Sequence, residues 1–223
     1  MTVCLMLHGL GDPPAGVSAE ERPYWVSQGL FDGILDLLRT EPAQITIDDG
    51  NVSDIEIALP RLLQARLPAT FFIPSDRVGT KGYLGEGDVR TLYSTGMEVG
   101  SHGCAHLRWT AASDGEIARD VTRSIERLSA IISAPVRSVA LPYGDCDRRV
   151  LRVLRSLGIG KVYTSFRGPG REHDWLVRRD CVMADTTLSD VKALLTAEPT
   201  ASEAALSLLR IWRHTGRAAV LRA

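Results

Sequence analysis

Short apolar runs alternate with amphipathic helical stretches along the chain, and this alternation constrains the fold more than any other sequence feature. Residues 45–47, for example, are typical of a buried strand, and residues 26–38 carry apolar side chains at helical spacing. Strands that alternate with helices predict βα units and a parallel sheet. Six to eight such units follow one another without a linker-like stretch. We therefore expect one α/β domain over residues 1–223, either a closed barrel or a doubly wound sheet.

The alternation assigns each element a place in the chain. The predicted strands are residues 3–7, 45–47, 69–73, 97–99, 136–141 and 161–165, with a last apolar segment at 218–221. The predicted helices are residues 26–38, 53–67, 86–94, 113–133, 147–157, 189–195 and 201–213. Two of these helices begin with a capping-box pattern, Ser53 with Glu56 and Ser113 with Glu116.

Charge and composition exclude several kinds of partner. The 26 basic and 27 acidic residues give a net charge of −1 without a basic stripe, so nucleic acid and anionic membranes are not expected partners. No segment approaches the roughly 18 apolar residues of a membrane span. The N-terminus lacks the charged region of a signal peptide, and the four cysteines show no C-x-x-C spacing. We expect a reduced, cytoplasmic setting.

Carboxylates and imidazoles follow two of the predicted strands. Asp48 and Asp49 come directly after residues 45–47, whereas His102 and His106 come after residues 97–99. One carboxylate and two imidazoles are sufficient ligands for a divalent metal with open positions, and the second carboxylate then remains to handle protons. The four-residue spacing of the histidines would place both on one face of a helical turn. Because strand ends converge on one face of a barrel, these positions favour the barrel and predict a metal-dependent hydrolase.

Three motifs in order resemble the polysaccharide deacetylases of the NodB-homology class (carbohydrate esterase family 4). The matching segments are Thr46-Ile47-Asp48-Asp49-Gly50, then Gly96-Met97-Glu98-Val99-Gly100-Ser101-His102 with His106, and Ala140-Leu141-Pro142-Tyr143-Gly144. The resemblance implies a NodB-like, distorted (β/α) barrel of about seven strands.

The resemblance also implies roles for the residues in these motifs. Asp49, His102 and His106 would be the metal ligands, and Asp48 would be the general base. The expected metal is Zn²⁺, with Co²⁺, Ni²⁺ or Fe²⁺ as alternatives for the same ligands.

Further residues are expected around the substrate. Pro142 and Tyr143 would shape an acetyl pocket, with the Tyr143 backbone N–H beside the metal as an oxyanion donor. His8 either lines the substrate groove or is an ordinary loop histidine. Trp109 is expected to pack in the interior, and Cys104 to be a small buried thiol rather than a ligand.

The chain departs from the family pattern at two points. Ala140 stands where the third motif often has an arginine that holds the catalytic aspartate, so Arg178 or Arg179 is expected to pair with Asp48, with Arg178 favoured. The fifth motif normally supplies a histidine as general acid, and this chain has none in that position. His173 and His214 are the only late histidines.

The expected activity is removal of N-acetyl groups from an amino sugar in a glycan, a glycan precursor or a sugar conjugate. Two alternatives remain at this point: hydrolysis of another non-peptide C–N bond, of the cyclic imide or ureide type, and glycan binding without turnover by a degenerate family member. A dinucleotide-binding domain is not supported, because no G-x-G-x-x-G follows a strand. The sequence leaves open the sugar, the chain length, the physiological metal and the oligomeric state.

Overall fold

Eight short strands form one parallel sheet in this computed structural model, which describes residues 2–171 and 173–197. The strands are β1 (Cys4–Leu7), β2 (Gln44–Asp48), β3 (Thr70–Ile73), β4 (Glu98–Ser101), β5 (Ser138–Ala140), β6 (Lys161–Tyr163), β7 (Leu176–Val177) and β8 (Asp180–Cys181). Their order in the sheet is β7-β6-β5-β4-β3-β2-β1-β8, and every neighbouring pair is parallel.

The sheet curls so far that its two edges approach each other. β7 pairs with β6 and β8 pairs with β1, at opposite edges, yet only Arg178 and Arg179 separate β7 from β8 in sequence. Three peptide steps span about 10 Å at most. The segment 176–181 therefore connects both edges, as one interrupted strand would. The distorted (β/α) barrel expected from the sequence is confirmed.

The described residues form six α-helices, of which the first five connect successive strands and the sixth follows β8. They are α1 (Gln28–Leu37), α2 (Leu59–Ala65), α3 (Glu86–Ser94), α4 (Asp114–Ile132), α5 (Arg148–Ser156) and α6 (Leu188–Thr196). The capping box predicted at the start of α4 is present, because the Ser113 hydroxyl accepts a hydrogen bond from the Glu116 amide and the Glu116 carboxylate accepts one from the Ser113 amide. None of the helices in the described ranges is long and apolar enough to cross a membrane. The predicted elements 201–213 and 218–221, and His214, lie outside the described residues.

The capping box predicted at Ser53 is wrong. Ser53 has helical backbone angles (φ −59°, ψ −20°), whereas a capping serine needs an extended backbone to turn its hydroxyl towards the first turn. The hydroxyl instead accepts a hydrogen bond from the Leu10 amide at 3.2 Å, which ties the loop after β1 to the loop after β2. A π-helical turn, Asp54–Ala58, then leads into α2.

Alternation along the strands separates the barrel interior from the face that packs on the helices. Phe71 and Ile73 belong to the large apolar core beneath the helices, whereas Phe72 between them belongs to a separate cluster. That cluster comprises Cys4, Phe72, Ala140, Tyr163 and Val177, from five different strands. It fills the interior of the barrel, directly below the ends of the strands that carry the polar motifs.

Candidate active site

The carboxyl ends of β2 and β4 bring together the aspartates and histidines singled out from the sequence. Asp48 is the last residue of β2 and Asp49 follows it, while His102 follows β4 directly. One ligating atom from each of Asp49, His102 and His106 lies within 4.8 Å of the others. Three donors this close can hold a single metal ion.

The two histidines do not lie on a helix, so that prediction is wrong. His102 is at the end of a strand, and His106 lies in an irregular loop with a left-handed backbone (φ 56°). Their ring centroids are nevertheless 4.8 Å apart, and His106 Nε2 is 3.4 Å from Asp49 Oδ1. A sharp turn at Gly103 (φ 74°) brings the second histidine back beside the first.

The protonation of both histidines suits a divalent metal. His102 Nδ1 lies 3.0 Å from the Ala140 carbonyl oxygen, which can only accept, so Nδ1 carries the proton and Nε2 is left with its lone pair. Burial lowers the pKa of His102, and burial together with the neighbouring His102 lowers the pKa of His106 to about 4. Both rings are neutral at neutral pH. Two imidazole nitrogens and one carboxylate fit Zn²⁺ and the related transition metals.

Asp48 pairs with Arg179 inside the barrel. Arg179 donates from Nη1 to Asp48 Oδ1 at 2.7 Å and from Nη2 to Oδ2 at 2.8 Å, and both side chains are buried. Its Nε donates to the Thr164 carbonyl at 3.0 Å, which fixes the guanidinium plane. The preference for Arg178 was wrong. Arg179 lies two residues after Val177 and, by the alternation of an extended chain, shares its inward face.

This ion pair sets the charge of Asp48. Burial by itself would raise the pKa of the carboxyl, but the Arg179 guanidinium, with His102, outweighs it and holds the pKa of Asp48 below its ordinary value. Asp48 is therefore a carboxylate at neutral pH, oriented by two parallel hydrogen bonds.

Asp49 has an arginine partner that the sequence analysis missed. Arg77 Nη1 donates to Asp49 Oδ1 at 3.0 Å, and its guanidinium lies 4.9 Å from the Tyr83 ring centroid. Burial would raise the pKa of Asp49, but the neighbouring imidazoles, which carry a charge only when protonated, and the Arg77 guanidinium outweigh it, so the pKa is lowered. One sequence feature could have predicted this contact. Arg77 lies in the turn after β3, and β3 is the neighbour of β2, which Asp49 follows.

Aromatic side chains surround the histidines. The exposed Tyr143 has a left-handed backbone (φ 60°), and its ring lies 4.5 Å from the His106 ring. The Arg108 guanidinium covers the Tyr143 ring at 4.1 Å and also forms an ion pair with Asp145. Pro142, one residue before Tyr143, is buried.

His8 lies at the end of β1 on the other side of Asp48. Leu7 pairs with Ile47 in the sheet, so the next residues along the two strands, His8 and Asp48, are neighbours. The His8 ring packs 4.9 Å from the Tyr24 ring. These contacts place it beside the site, as the groove interpretation requires. The side chain of His173 is exposed.

Asp54 is a buried acid beside this site that the sequence did not reveal. Its side chain is fully buried, and neither carboxyl oxygen has a hydrogen-bond partner among the described residues. Burial, reinforced by the negative charges of Asp49 and Asp48, raises the pKa of Asp54 well above its ordinary value. The carboxyl therefore stays neutral to a higher pH than an exposed aspartate does.

Replacing Asp54 with asparagine tests this protonation through stability. Between the unfolded and the folded pKa of Asp54 the folded state binds one proton more, so wild-type stability falls as pH rises through this range. Asparagine does not titrate. We expect the free energy of unfolding of Asp54→Asn, relative to that of wild type, to increase from pH 5 to pH 8. The increase is up to about 1.4 kcal/mol per pH unit.

Urea unfolding at both pH values measures this difference. The control is Glu126→Gln, an exposed substitution on α4. Its free energy of unfolding should differ from that of wild type by the same amount at each pH. If Asp54→Asn also shows equal offsets at pH 5 and pH 8, Asp54 is ionised in the folded protein.

Known proteins resemble this chain in sequence and in fold. Residues 38–162, more than half of the chain, match the polysaccharide deacetylase family. The poly-β-1,6-N-acetyl-D-glucosamine N-deacetylase of Staphylococcus aureus is 24% identical over 178 residues, with 64% of this chain and 61% of that protein covered. The chain thus spans about three fifths of the length of these curated relatives.

Solved structures resemble the barrel over most of its length. A Streptococcus pyogenes deacetylase, PplD, solved in complex with acetate, has a TM-score of 0.77 at 17% identity, covering 88% of this chain and 98% of that one. IcaB from Ammonifex degensii has a TM-score of 0.73 at 22% identity, with 88% and 98% covered. At these identities the likeness concerns the fold, whereas the match over residues 38–162 assigns the family. The chain belongs to the polysaccharide deacetylase family.

Proposed function

We propose that this protein is a metal-dependent N-deacetylase that acts on an acetylated amino sugar in a glycan, a glycan precursor or a sugar conjugate. One observation carries the proposal: an ionised Asp48, held by Arg179, lies beside three close metal-ligating side chains at one end of the barrel. The name of the S. aureus relative indicates a polymer of N-acetylglucosamine as the first substrate to test.

In this proposal Asp49, His102 and His106 hold the divalent ion, Zn²⁺ or one of Co²⁺, Ni²⁺ and Fe²⁺. When bound, such an ion lowers the pKa of water and polarises the amide carbonyl. The neutral state of both histidines supports this role, because only a neutral imidazole can ligate.

The remaining chemistry belongs to the side chains around these ligands. Asp48 accepts the proton of the attacking water, and Arg179 keeps it ionised and oriented for that step. The backbone N–H of Tyr143 donates to the oxygen of the tetrahedral intermediate. Pro142 and Tyr143 shape the acetyl pocket, and His8 lines the groove opposite them. Asp48, once it has accepted the proton of the water, returns it to the departing amine.

Metal analysis combined with acetate release tests the proposal. The purified protein is assayed for bound metal, and acetate is measured from β-1,6- and β-1,4-linked N-acetylglucosamine oligomers with and without a chelator. Stoichiometric metal and chelator-sensitive acetate release are the expected results. Bound metal without acetate would favour another C–N bond, for which cyclic imides and ureides are the next substrates. A protein that binds no metal after reconstitution contradicts the enzyme and favours a glycan-binding protein.

The exposed Tyr143 ring should contribute to substrate affinity. An aromatic contact is worth about 0.5–1.5 kcal/mol beyond its buried area, so Tyr143→Ala is expected to lower kcat/KM roughly 3- to 10-fold, mainly through KM. Steady-state acetate release measures both constants. Tyr93→Ala removes another exposed tyrosine, on α3, and should leave both constants unchanged. A Tyr143 variant with wild-type KM would show that the ring does not touch the substrate.

A further inference from the structure

The loop that carries His106 has no regular secondary structure to hold it. Between β4 and the turn at Trp109–Ala111, residues 102–108 are neither helix nor strand. His106 itself has a left-handed backbone, which the surroundings must stabilise. The position of this imidazole therefore depends on the contacts that fix the loop.

One carboxylate on α4 accepts three of these hydrogen bonds, in addition to the backbone bonds that the Ser75 and Asp76 amides donate to the Gly103 and Cys104 carbonyls. Asp120 Oδ1 accepts hydrogen bonds from the Cys104 amide at 3.1 Å and from the Ala105 amide at 3.5 Å. Asp120 Oδ2 accepts one from Trp109 Nε1 at 2.9 Å. The two carboxyl oxygens thus bind the loop on both sides of His106, immediately before it and three residues after it.

The loop and the helix are shaped to each other at this point. A Cβ atom at Gly103 would lie 2.4 Å from Asp120 Oδ2, so the absence of a side chain lets the carboxylate approach. One turn further along α4, the Ser124 hydroxyl accepts a hydrogen bond from Ser101 at 2.7 Å, and Ser101 in turn accepts one from the Gly103 amide at 3.1 Å. Asp120 and Ser124 lie on one face of α4. Ser124 is hydrogen-bonded to the end of β4, and Asp120 is hydrogen-bonded to the loop that follows it.

Trp109 is the buried partner of this carboxylate, whereas Asp120 itself is partly exposed. The indole is 1% exposed and packs in a further apolar cluster with side chains of α4 and α5, so its N–H needs a partner inside the protein. The Cys104 thiol also points to this helix and donates to the Asp120 carbonyl at 3.2 Å, which removes it from the ligand set.

We infer that Asp120 is a positioning residue that holds His106 in place for the divalent metal. Its carboxylate can serve three N–H donors because it is acceptor-only and has two oxygens. Asparagine would keep one acceptor for the two amides but turn an NH₂ group towards the indole N–H. The effect on metal binding rests on the proposed function, whereas the hydrogen bonds between Asp120 and the loop do not depend on it.

Two readouts test it, and the first needs no metal. Hydrogen exchange of the Cys104 and Ala105 amides is measured in the metal-free protein for wild type, Asp120→Asn and Asp120→Ala. The second readout is Zn²⁺ affinity by chelator competition. Residues that orient metal ligands are typically worth about 10- to 100-fold in affinity. We expect faster exchange and about 10-fold weaker Zn²⁺ binding for Asp120→Asn, and larger changes of both for Asp120→Ala.

Two further variants separate positioning from general stability. Trp109→Phe removes the Oδ2 contact but keeps both amide contacts, so we expect a lower Tm with Zn²⁺ affinity within about 3-fold of wild type, well short of the change expected for a lost orienting residue. Glu126→Gln on the same helix should change neither exchange nor affinity. If the two Asp120 variants lose Tm but keep wild-type Zn²⁺ affinity, Asp120 is only structural and the inference is wrong.

The failure of this inference can be distinguished from the failure of the proposed function. Unchanged amide exchange in both Asp120 variants overturns the inference, whatever the protein catalyses. A wild-type protein that binds no Zn²⁺ overturns the proposed metal-dependent function, and it does so whether or not Asp120 slows exchange in the loop.

Discussion

Asp48→Asn is expected to lower kcat for acetate release by about 10²- to 10⁴-fold, which is the usual contribution of a positioned general base. Asparagine occupies the same volume but cannot accept the proton of water. Metal content should stay at the wild-type level, because Asp48 is not one of the three grouped ligands. Acetate release under saturating substrate measures the first effect, and elemental analysis of the same preparation measures the second.

Two comparisons make this result specific to Asp48. Asp145→Asn removes an exposed carboxylate near the same loops and should keep kcat within a few-fold of wild type. Asp49→Asn should instead lose metal and activity together. An Asp48→Asn protein that retained metal and more than a tenth of wild-type kcat would contradict the assignment of Asp48 as the base.

Arg179→Met is expected to destabilise the protein by about 3–5 kcal/mol at pH 7, because removing one partner of a buried pair leaves the other charge uncompensated. Asp48 remains fully buried, and burial then raises its pKa without the opposing guanidinium. The carboxylate must be ionised to act as a base, so the acid limb of the kcat profile should move to higher pH. Urea unfolding and the pH dependence of acetate release measure the two effects.

The neighbouring arginine provides the matched control. Arg178→Met makes the same chemical change one position earlier, outside the bidentate pair, and should cost much less stability without moving the acid limb. Asp48→Asn combined with Arg179→Met should recover part of the loss, because no uncompensated carboxylate remains. Equal losses from Arg178→Met and Arg179→Met would show that the ion pair is not the source of the effect.

The choice between these arginines shows where sequence reasoning stops. The fold was predictable because βα alternation repeats over many residues, and the boundaries of α3 agree with the prediction. A two-residue strand offers no such repetition. Leu176 and Val177 are both apolar, so no alternation in the sequence reveals which of the following residues faces the barrel interior.

The histidine loop shows a second limit. The spacing of His102 and His106 singled out two histidines that the structure brings together, but four residues also fit a helical turn, and only the turn at Gly103 distinguishes the loop from a helix. The carboxylate that holds this loop, Asp120, lies on a separate helix with no motif around it. Arg77 and Asp54 were missed for the same reason: each matters through a neighbour in space rather than a pattern in sequence.

The segment 176–181, which connects both edges of the sheet, separates the assembly of the site into two stages. All three proposed metal ligands come from residues 49–106, whereas the guanidinium that holds Asp48 lies 131 residues after Asp48 in the chain. Chains are synthesised from the N-terminus, and contacts of such long sequence separation form late. We therefore expect a nascent chain to acquire its ligand residues long before its oriented base. A chain should therefore become able to hydrolyse its substrate only after the barrel has closed.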